Sequence, residues 1–513
     1  MEKVCAREGR AIAGWSKRRV VLRLFGRELS SHVRLSIGFG LFWTWVWLVF
    51  QTTYFSPPVQ RGEAGSLPGW IVPLFGYAVT FLVLGGLLKL RGIVPRGRWY
   101  LAAIPALMSL GTLTLCVVMF SPLAHPVVNA VAAGLGGLLM GVGTACLHVE
   151  WGRALGDLGS GTTILHGVIG TVIAALLTAL ITLLPTALLW MVALLVPPAS
   201  MFLLTRDTPH LSQLCAHGLE AHFHVPRRFL ATAFVQGLSF GIVQAILLLG
   251  GHQEPVVALS AASFALSAIV LFFCALFFRM DFNQLIYQVG FLIMAFGYLL
   301  IALAGPGFLG GLFVYTTGYR FVDIMMWALC AYLIKQRGLS ANWVFSLTTC
   351  FLLLGQIAGA LVGNAMIAAL PAVSLGAGEL ATVMVFVLLA SSLVMSDRKN
   401  LRTGWGMVRP SDFNEAPSSF DAGCDLVCGR YDLTTREREV FALLAHGLNR
   451  ASICDELTLS KETVKTHVRN IYRKLGVHSQ QDVVFLVAAE QQTLGGDETD
   501  ADEEGYDFCG SRL

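Results

Sequence analysis

The sequence predicts an all-α protein in two parts. One is a polytopic membrane helix bundle of about twelve spans, grouped six and six, and the other a C-terminal four-helix domain of helix-turn-helix pattern. Three observations lead there. The 513 residues are 55% hydrophobic and 13% charged, against roughly 25% charged in soluble domains, and the mean hydropathy is +0.67. Apolar stretches of about twenty residues recur from Leu35 to Met395, each long enough to cross a bilayer as a helix. Beyond residue 430 the composition becomes ordinary, and apolar residues return at helical spacing in short, capped segments. The net charge of +4 averages a basic start, a near-neutral middle and an acidic end, so by itself it decides nothing.

Residues 1–34 are a basic leader, with Lys17, Arg18, Arg19, Arg23, Arg27 and Arg34 among Trp15, Val21, Leu22, Leu24 and Phe25. Two readings stand: an amphipathic helix on the inner membrane surface, or a positive leader that only fixes topology. No small-residue cleavage site precedes the first span, so a cleaved signal peptide is not expected.

The membrane domain, 35–396, divides into spans near 35–55, 70–88, 99–120, 127–147, 161–182, 186–205, 229–250, 256–278, 285–304, 307–334, 342–369 and 376–395. Pro57-Pro58, Arg96-Gly97-Arg98, Pro122, Pro185, Pro255, Pro306 and Pro371 mark breaks. Basic residues fall in alternate connections: Lys89, Arg91, Arg96 and Arg98; Arg153; Arg206, Arg227 and Arg228; Arg279; Lys335 and Arg337. The other connections hold only Arg61. By the positive-inside rule both termini are cytoplasmic, in a multi-pass inner-membrane protein.

The longest internal connection, Arg206 to Arg228, follows the sixth span. Six spans, a longer cytoplasmic loop and six more resemble the layout of the major facilitator superfamily. That family carries a Gly, an Asp and a basic cluster between spans two and three. Here Gly85-Gly86-Leu87-Leu88-Lys89-Leu90-Arg91-Gly92 keeps the glycines and cations without the Asp, and Phe278-Arg279-Met280-Asp281 after span eight comes no closer. In the family this motif supports switching between inward- and outward-open states. Its erosion weighs against active transport and leaves ligand binding open.

Polar groups within the spans are few. Arg320 and Asp323 lie three residues apart in span ten and share a helix face. A charge in a bilayer is costly and faces a cavity or a partner, so the pair either faces a ligand or is a structural ion pair. Gln236 and Gln244 in span seven, His166 in span five, and Gln356 and Asn364 in span eleven are further ligand-sensing candidates. Each also fits an interhelical hydrogen bond. Gly355, Gly359 and Gly363, like Gly137 and Gly141, recur every four residues, a spacing that lets helices approach closely.

Residues 397–430 read as a linker, with Pro410, Pro417 and several Ser, Gly and Asp. Cys424 and Cys428 stand four apart there without a second ligand pair, so no metal site is expected. No cofactor motif, phosphate loop or nucleophile–base arrangement is present, and no enzyme activity is expected.

Residues 431–491 form the C-terminal domain. Thr434 and Glu437 make a capping box for a helix carrying Val440, Leu443 and Leu444, which Gly447 ends. A short segment, Asn449 to Leu457, follows with Ile453 and Leu457 on one face. Ser460 caps the next helix and Gly476 ends it. On that helix Val464, Val468, Ile471 and Leu475 form an apolar stripe, with Lys465, Arg469 and Arg473 beside it. Ser479 caps a closing helix with Val483, Val484, Leu486 and Val487. An apolar back and a cationic front suit insertion into the major groove of double-stranded DNA.

From LTTREREVFALLAHG to SKETVKTHVRNIYRKLGVHS, this stretch resembles the DNA-binding domain of LuxR-type transcriptional regulators. The resemblance implies that Thr463, Lys465, Thr466 and Arg469 contact DNA. Arg473 and Lys474 add cations nearby, and the closing helix makes a homodimer, assigned to Val483, Val484 and Val487. Cys454, where the family usually has alanine, and Gln480, often arginine, are departures. The tail, 492–513, is acidic (Asp497, Glu498, Asp500, Asp502, Glu503, Glu504 and Asp507) and is expected to be disordered.

Together these readings predict a membrane-bound one-component transcriptional regulator. It would sense an unknown small molecule or a membrane signal through its spans and bind promoter DNA as a dimer on an inverted repeat. A secondary transporter with a DNA-binding regulatory tail is the alternative.

Overall fold

The computed structural model describes residues 32–51, 71–91, 97–120, 126–208, 225–250, 254–277, 281–304, 308–337, 339–373, 377–395, 419–445, 450–457, 459–480, 482–483 and 486–487. Residues 1–31 of the leader, Gly447, Val484 and the acidic tail lie outside them. Among the described residues there is no strand. The chain divides into two compact units, 1–413 and 414–513.

Among its described residues the first unit holds twelve helices at the positions of the predicted spans. They are α1 (Val33–Gln51), α2 (Ile71–Arg91), α3 (Arg98–Phe120), α4 (Pro126–Leu158), α5 (Ser160–Ile181) and α6 (Thr186–Asp207), then α7 (Arg227–Gly250) and α8 (Glu254–Phe277). α9 opens with a π-helical turn, Gln284–Gly290, and continues as Phe291–Ala304. α10 (Leu309–Arg337), α11 (Ala341–Val373) and α12 (Ala377–Met395) complete the bundle. Among the described residues nine helices are long and apolar enough to cross a membrane, and two more are apolar over shorter lengths, Val72–Leu87 and Leu259–Cys274. The remaining one, α10, carries Arg320, Asp323, Lys335 and Arg337. Large apolar side chains such as Phe75, Leu82, Leu195, Phe202 and Phe386 stay exposed on the outside of the bundle. That is the surface expected where lipid, rather than water, is the solvent.

The helix contacts resolve the six-and-six grouping. In the first half α1 packs on α5 and α6, and α4 on α2 and α3, with α3 also against α6. Each of these pairings recurs six helices later: α7 on α11 and α12, α10 on α8 and α9, and α9 against α12. The contacts between halves exchange in the same way, α2 with α11 for α5 with α8, and α4 with α11 for α5 with α10. The bundle is therefore two pseudo-equivalent six-helix repeats.

Glycine makes the tightest seam, between α7 and α11. A Cβ on Gly237 would fall 1.9 Å from the Leu352 carbonyl oxygen, and one on Gly241 2.1 Å from that of Gln356. From the other side, Gly355 and Gly359 would meet the carbonyl oxygens of Phe234 and Leu238 at 2.2 Å. Gly141 approaches the Pro73 carbonyl at 2.3 Å in the α2–α4 contact. The recurring glycines of spans four and eleven thus serve packing.

The second unit has its own core. It contains α13 (Ser419–Arg430), α14 (Thr435–Ala445), α15 (Arg450–Leu457) and α16 (Lys461–Leu475). Cys424, Val427 and Cys428 on α13 are buried with Leu433, Val440, Phe441, Leu444, Ile453, Val464, Val468, Ile471 and Leu475. Part of the segment read as linker is therefore a helix of this domain. Its signal was weak because Gly, Asp and Cys dominate Ser419–Arg430, with a single i, i+3, i+4 apolar triplet.

Gly359→Val, which places branched carbons against backbone, is expected to lower the folded amount of the detergent-extracted protein several-fold by fluorescence-detected gel filtration. Gly86→Ala, where an added Cβ meets nothing within 4 Å, is expected to leave it unchanged.

Candidate functional sites: a nucleic-acid interface and an intramembrane cavity

The candidate nucleic-acid interface is built on α16. The Ser460 hydroxyl accepts the Thr463 amide hydrogen at 3.2 Å and meets the Thr463 hydroxyl at 2.7 Å. Such a cap stabilises a helix by about 1 kcal/mol. Gly476 ends the helix at φ 69°, a left-handed conformation that a side chain would strain. Val464, Val468, Ile471 and Leu475 are buried, and their burial turns Lys465, Thr466, Arg469 and Arg473 outward. The Lys465 side chain is 67% exposed and lies 3.9 Å from Glu462, a contact too loose and solvated to hold it. Thr466 donates to the Glu462 carbonyl at 2.9 Å, and Arg473 to Asn470 at 3.4 Å. Thr463 is half-buried at the first turn, tied to the cap.

Two sequence expectations change in this domain. Lys474 donates to Glu437 at 2.7 Å and to the Asp432 carbonyl at 2.9 Å, tying the end of α16 to the start of α14. It is a structural pin, whereas Lys465, Arg469 and Arg473 are exposed. Spacing alone did not separate Lys474 from its neighbour Arg473, because its partners lie 37 and 42 residues away. Val483 and Val487, read as dimer residues, are fully buried in the domain's own core. They anchor the closing segment, which Ser479 and Asp482 cap reciprocally at 3.1 and 2.9 Å. Gln480 donates to the Leu444 carbonyl at 2.9 Å and ties the same segment to α14.

Glu437 accepts from Lys474 and from the Thr434 amide at 2.9 Å, so the predicted capping box is formed. The Lys474 hydrogen bond is the largest cause that lowers its pKa from the ordinary 4.5, ahead of opposing desolvation and the Thr434 bonds. A lowered folded pKa means stability that is present above the unfolded value and lost as pH falls through the folded one.

The second site lies inside the membrane domain, where the halves meet. A cavity of about 80 Å³ is lined by Trp43 and Trp47 of α1, Tyr77 of α2 and His148 of α4 on one side. From the other half come Gln236 and Phe240 of α7, Phe264 of α8, Tyr319, Arg320, Asp323 and Trp327 of α10, and Phe345, Thr349 and Gln356 of α11. Arg320 is buried and ion-paired with Asp323 one turn away. Its Nε and Nη2 both donate to the Thr171 hydroxyl on α5, at 3.1 and 2.7 Å. Its guanidinium stacks 3.9 Å from the Trp43 ring and 5.5 Å from that of Trp47. Arg320 therefore both lines the cavity and links the two halves.

Of the sequence candidates, the cavity brings together Arg320, Asp323, Gln236 and Gln356, the last donating to the Tyr319 hydroxyl at 3.0 Å. Gln244, His166 and Asn364 do not line it. His166 is instead buried beside α1, its Nδ1 2.7 Å from the Ser36 hydroxyl. A helical polar residue read alone gives its presence in a span but not its azimuth. The cavity also recruits residues that sequence reasoning missed. His148 Nδ1 sits 2.5 Å from the Tyr77 hydroxyl and its Nε2 3.3 Å from that of Thr349. Trp43, Trp47 and Trp327 were masked by the general apolarity of their spans.

A further buried cluster lies on α4. Arg153 pairs with Glu150 at 2.8 Å and donates to Asn342 of α11 at 2.6 Å. The sequence places Arg153 in a connection; α4 continues to Leu158, so it is a buried residue within the helix. Nearby, Lys335 of α10 donates to the Leu158 carbonyl at 3.1 Å. Among the described residues no group of His, Cys, Asp and Glu is arranged to hold a metal ion.

Comparison with known proteins agrees with both geometries. Residues 432–487 match the family described as GerE, bacterial regulatory proteins of the luxR family. The same region is similar to the HTH-type transcriptional regulator MalT of Yersinia enterocolitica, 46% identical over 63 residues. That match covers 12% of this chain and 7% of the relative's length. In the membrane domain the chain is similar in structure to the major facilitator proton:xylose symporter XylE, with a TM-score of 0.51 at 12% identity, over 72% of this chain and 95% of that one. The human organic anion transporter MFSD10 gives a TM-score of 0.48 at 15% identity, over 72% and 99%. The chain thus joins a LuxR-type DNA-binding domain to a multi-pass membrane bundle of major facilitator fold.

Lys465→Ala and Arg469→Ala are each expected to cut specific DNA binding by the 414–513 unit at least tenfold without shifting its melting temperature. A base contact of about 1–3 kcal/mol and a reduced salt slope for phosphate contacts are the signatures. Lys474→Ala is expected to do the reverse, lowering the melting temperature first. Glu437→Gln is expected to destabilise the unit at pH 7 and to converge with the parent as pH falls below 4.5, read by chemical denaturation across pH.

Proposed function

We propose that the chain is a membrane-embedded one-component transcriptional regulator. The membrane domain senses a small molecule in the cavity between its halves, and the C-terminal domain binds promoter DNA. One observation carries this reading. A helix that presents Lys465, Thr466, Arg469 and Arg473 outward belongs to the same polypeptide as a bundle enclosing a polar and aromatic cavity. Sensor and output are covalently joined, so occupancy of the cavity has a direct route to the operator.

The alternation of basic connections supports an inner-membrane protein with both termini in the cytoplasm, where the chromosome is. A single α16 reads few base pairs, which favours two copies on an inverted repeat. With Val483 and Val487 used by the core, the dimer surface falls to other positions of the closing segment, Val484 among them.

The buried Arg320–Asp323 pair fits sensing because it is shared between halves. A ligand that reorganises the cavity perturbs the Arg320–Thr171 link between α10 and α5. A secondary transporter with a regulatory tail has the major facilitator fold in its favour. The missing Asp in the Gly85–Gly92 stretch weighs against it.

Genome-wide footprinting of the full chain is expected to give discrete promoter sites that vanish in the Lys465→Ala, Arg469→Ala double variant. Arg320→Lys is expected to keep the footprint and the membrane abundance within about twofold while abolishing ligand-dependent reporter output, because ammonium keeps the charge but not the fork to Thr171 and Asp323. Gradient-driven accumulation of a solute in vesicles, with an unchanged reporter, would favour the transporter.

A further inference from the structure

The cavity's chemistry narrows what it takes, granted the reading that it is a ligand site. Its charges are already balanced. Arg320 is ion-paired with Asp323, and it also meets the Thr171 hydroxyl and the Trp43 and Trp47 faces. A charged ligand would add an unpaired charge to a low-dielectric site, or would have to break that pair, and both are costly. The Trp43 and Trp47 faces that would attract a cation are occupied by the chain's own guanidinium.

Three polar atoms on lining residues are buried without a hydrogen-bond partner: the Gln236 Oε1, an acceptor, the Trp43 Nε1, a donor, and the Thr348 hydroxyl, which can do either. Gln236 itself is fully buried. Such groups are rarely left unmatched in a folded protein, and each asks for its complement. The remaining wall is ring-rich, with Tyr77, Phe240, Phe264, Tyr319, Trp327 and Phe345. Flat ring walls favour a flat ring ligand, by stacked or edge-on contact. We propose that the cavity binds a small, uncharged, planar aromatic molecule whose polar group both donates and accepts hydrogen bonds, giving its hydrogen to Gln236 and receiving one from Trp43.

Near-isosteric probes test this on the purified full chain in lipid nanodiscs, with empty nanodiscs as the reference. Benzamide is uncharged and carries both groups; benzoate is its anion-like counterpart and benzamidine, protonated, its cation-like one. Benzamide is expected to bind at least tenfold more tightly than either. Acetophenone keeps the ring and carbonyl but lacks the N–H, and is expected to bind about tenfold more weakly than benzamide, the worth of one hydrogen bond. In Gln236→Leu that gap is expected to close while acetophenone affinity holds, which shows that the pocket survives. Should Gln236→Leu fail to fold, Trp43→Phe removes the other partner and is expected to weaken benzamide and acetophenone alike. Tighter binding of benzoate or benzamidine, no measurable binding of benzamide, a gap that survives Gln236→Leu, or affinities for both probes unchanged by Trp43→Phe would overturn the proposal. If benzamide binds with the expected coupling and leaves reporter output unchanged, the ligand class stands and the sensing reading falls.

Discussion

A buried guanidinium sets the terms for the membrane domain. Arg320 is buried among packed rings inside the bundle, so its charge has to be matched by groups from several helices. Asp323 supplies the countercharge, Thr171 accepts two of its hydrogens, and Trp43 covers its face. These partners lie on α10, α5 and α1, so the charge is satisfied only when the two halves are together. The second buried pair, Glu150 and Arg153 on α4, repeats the pattern: an i, i+3 pair whose arginine reaches across to α11. Because α4 and α10 occupy equivalent positions in the two repeats, the bundle carries one such cross-link from each half.

The same accounting explains the glycine seam. Where α7 and α11 approach closely enough for a Cβ to strike a carbonyl, the bundle gains van der Waals contact that lipid cannot displace. The closest approaches of backbone to backbone fall within a half, whereas the arginines of the two buried ion pairs reach from one half to the other.

Much of this was legible from residues. Apolar length and proline or charge breaks placed the twelve helices described between residues 33 and 395, and the N-cap, stripe and glycine of α16 appear as read. What escaped the sequence was azimuth and distant pairing. Gln236 and Gln244 are eight residues apart on one helix, yet only the former lines the cavity. Lys474 and Arg473 are adjacent, yet one is pinned to Glu437 and the other is exposed. Val483 and Val487 looked like a dimer face because an apolar stripe has the same spacing whether it meets a partner or its own core. The helix Ser419–Arg430 was missed because its apolar signal is three residues long.

The exchange of contacts between the repeats has a thermodynamic corollary. Pairing α2 with α11 and α5 with α8 gives the bundle two seams made from the same helix positions. Symmetry of position makes their energies start out alike, and only the residues filling them set the difference. Lys89 lying 5.5 Å over the Trp343 ring is one such asymmetry, present in the α2–α11 seam. Were the two seams to open and close in exchange, a bias of a few kcal/mol between them would be enough to tip the populations.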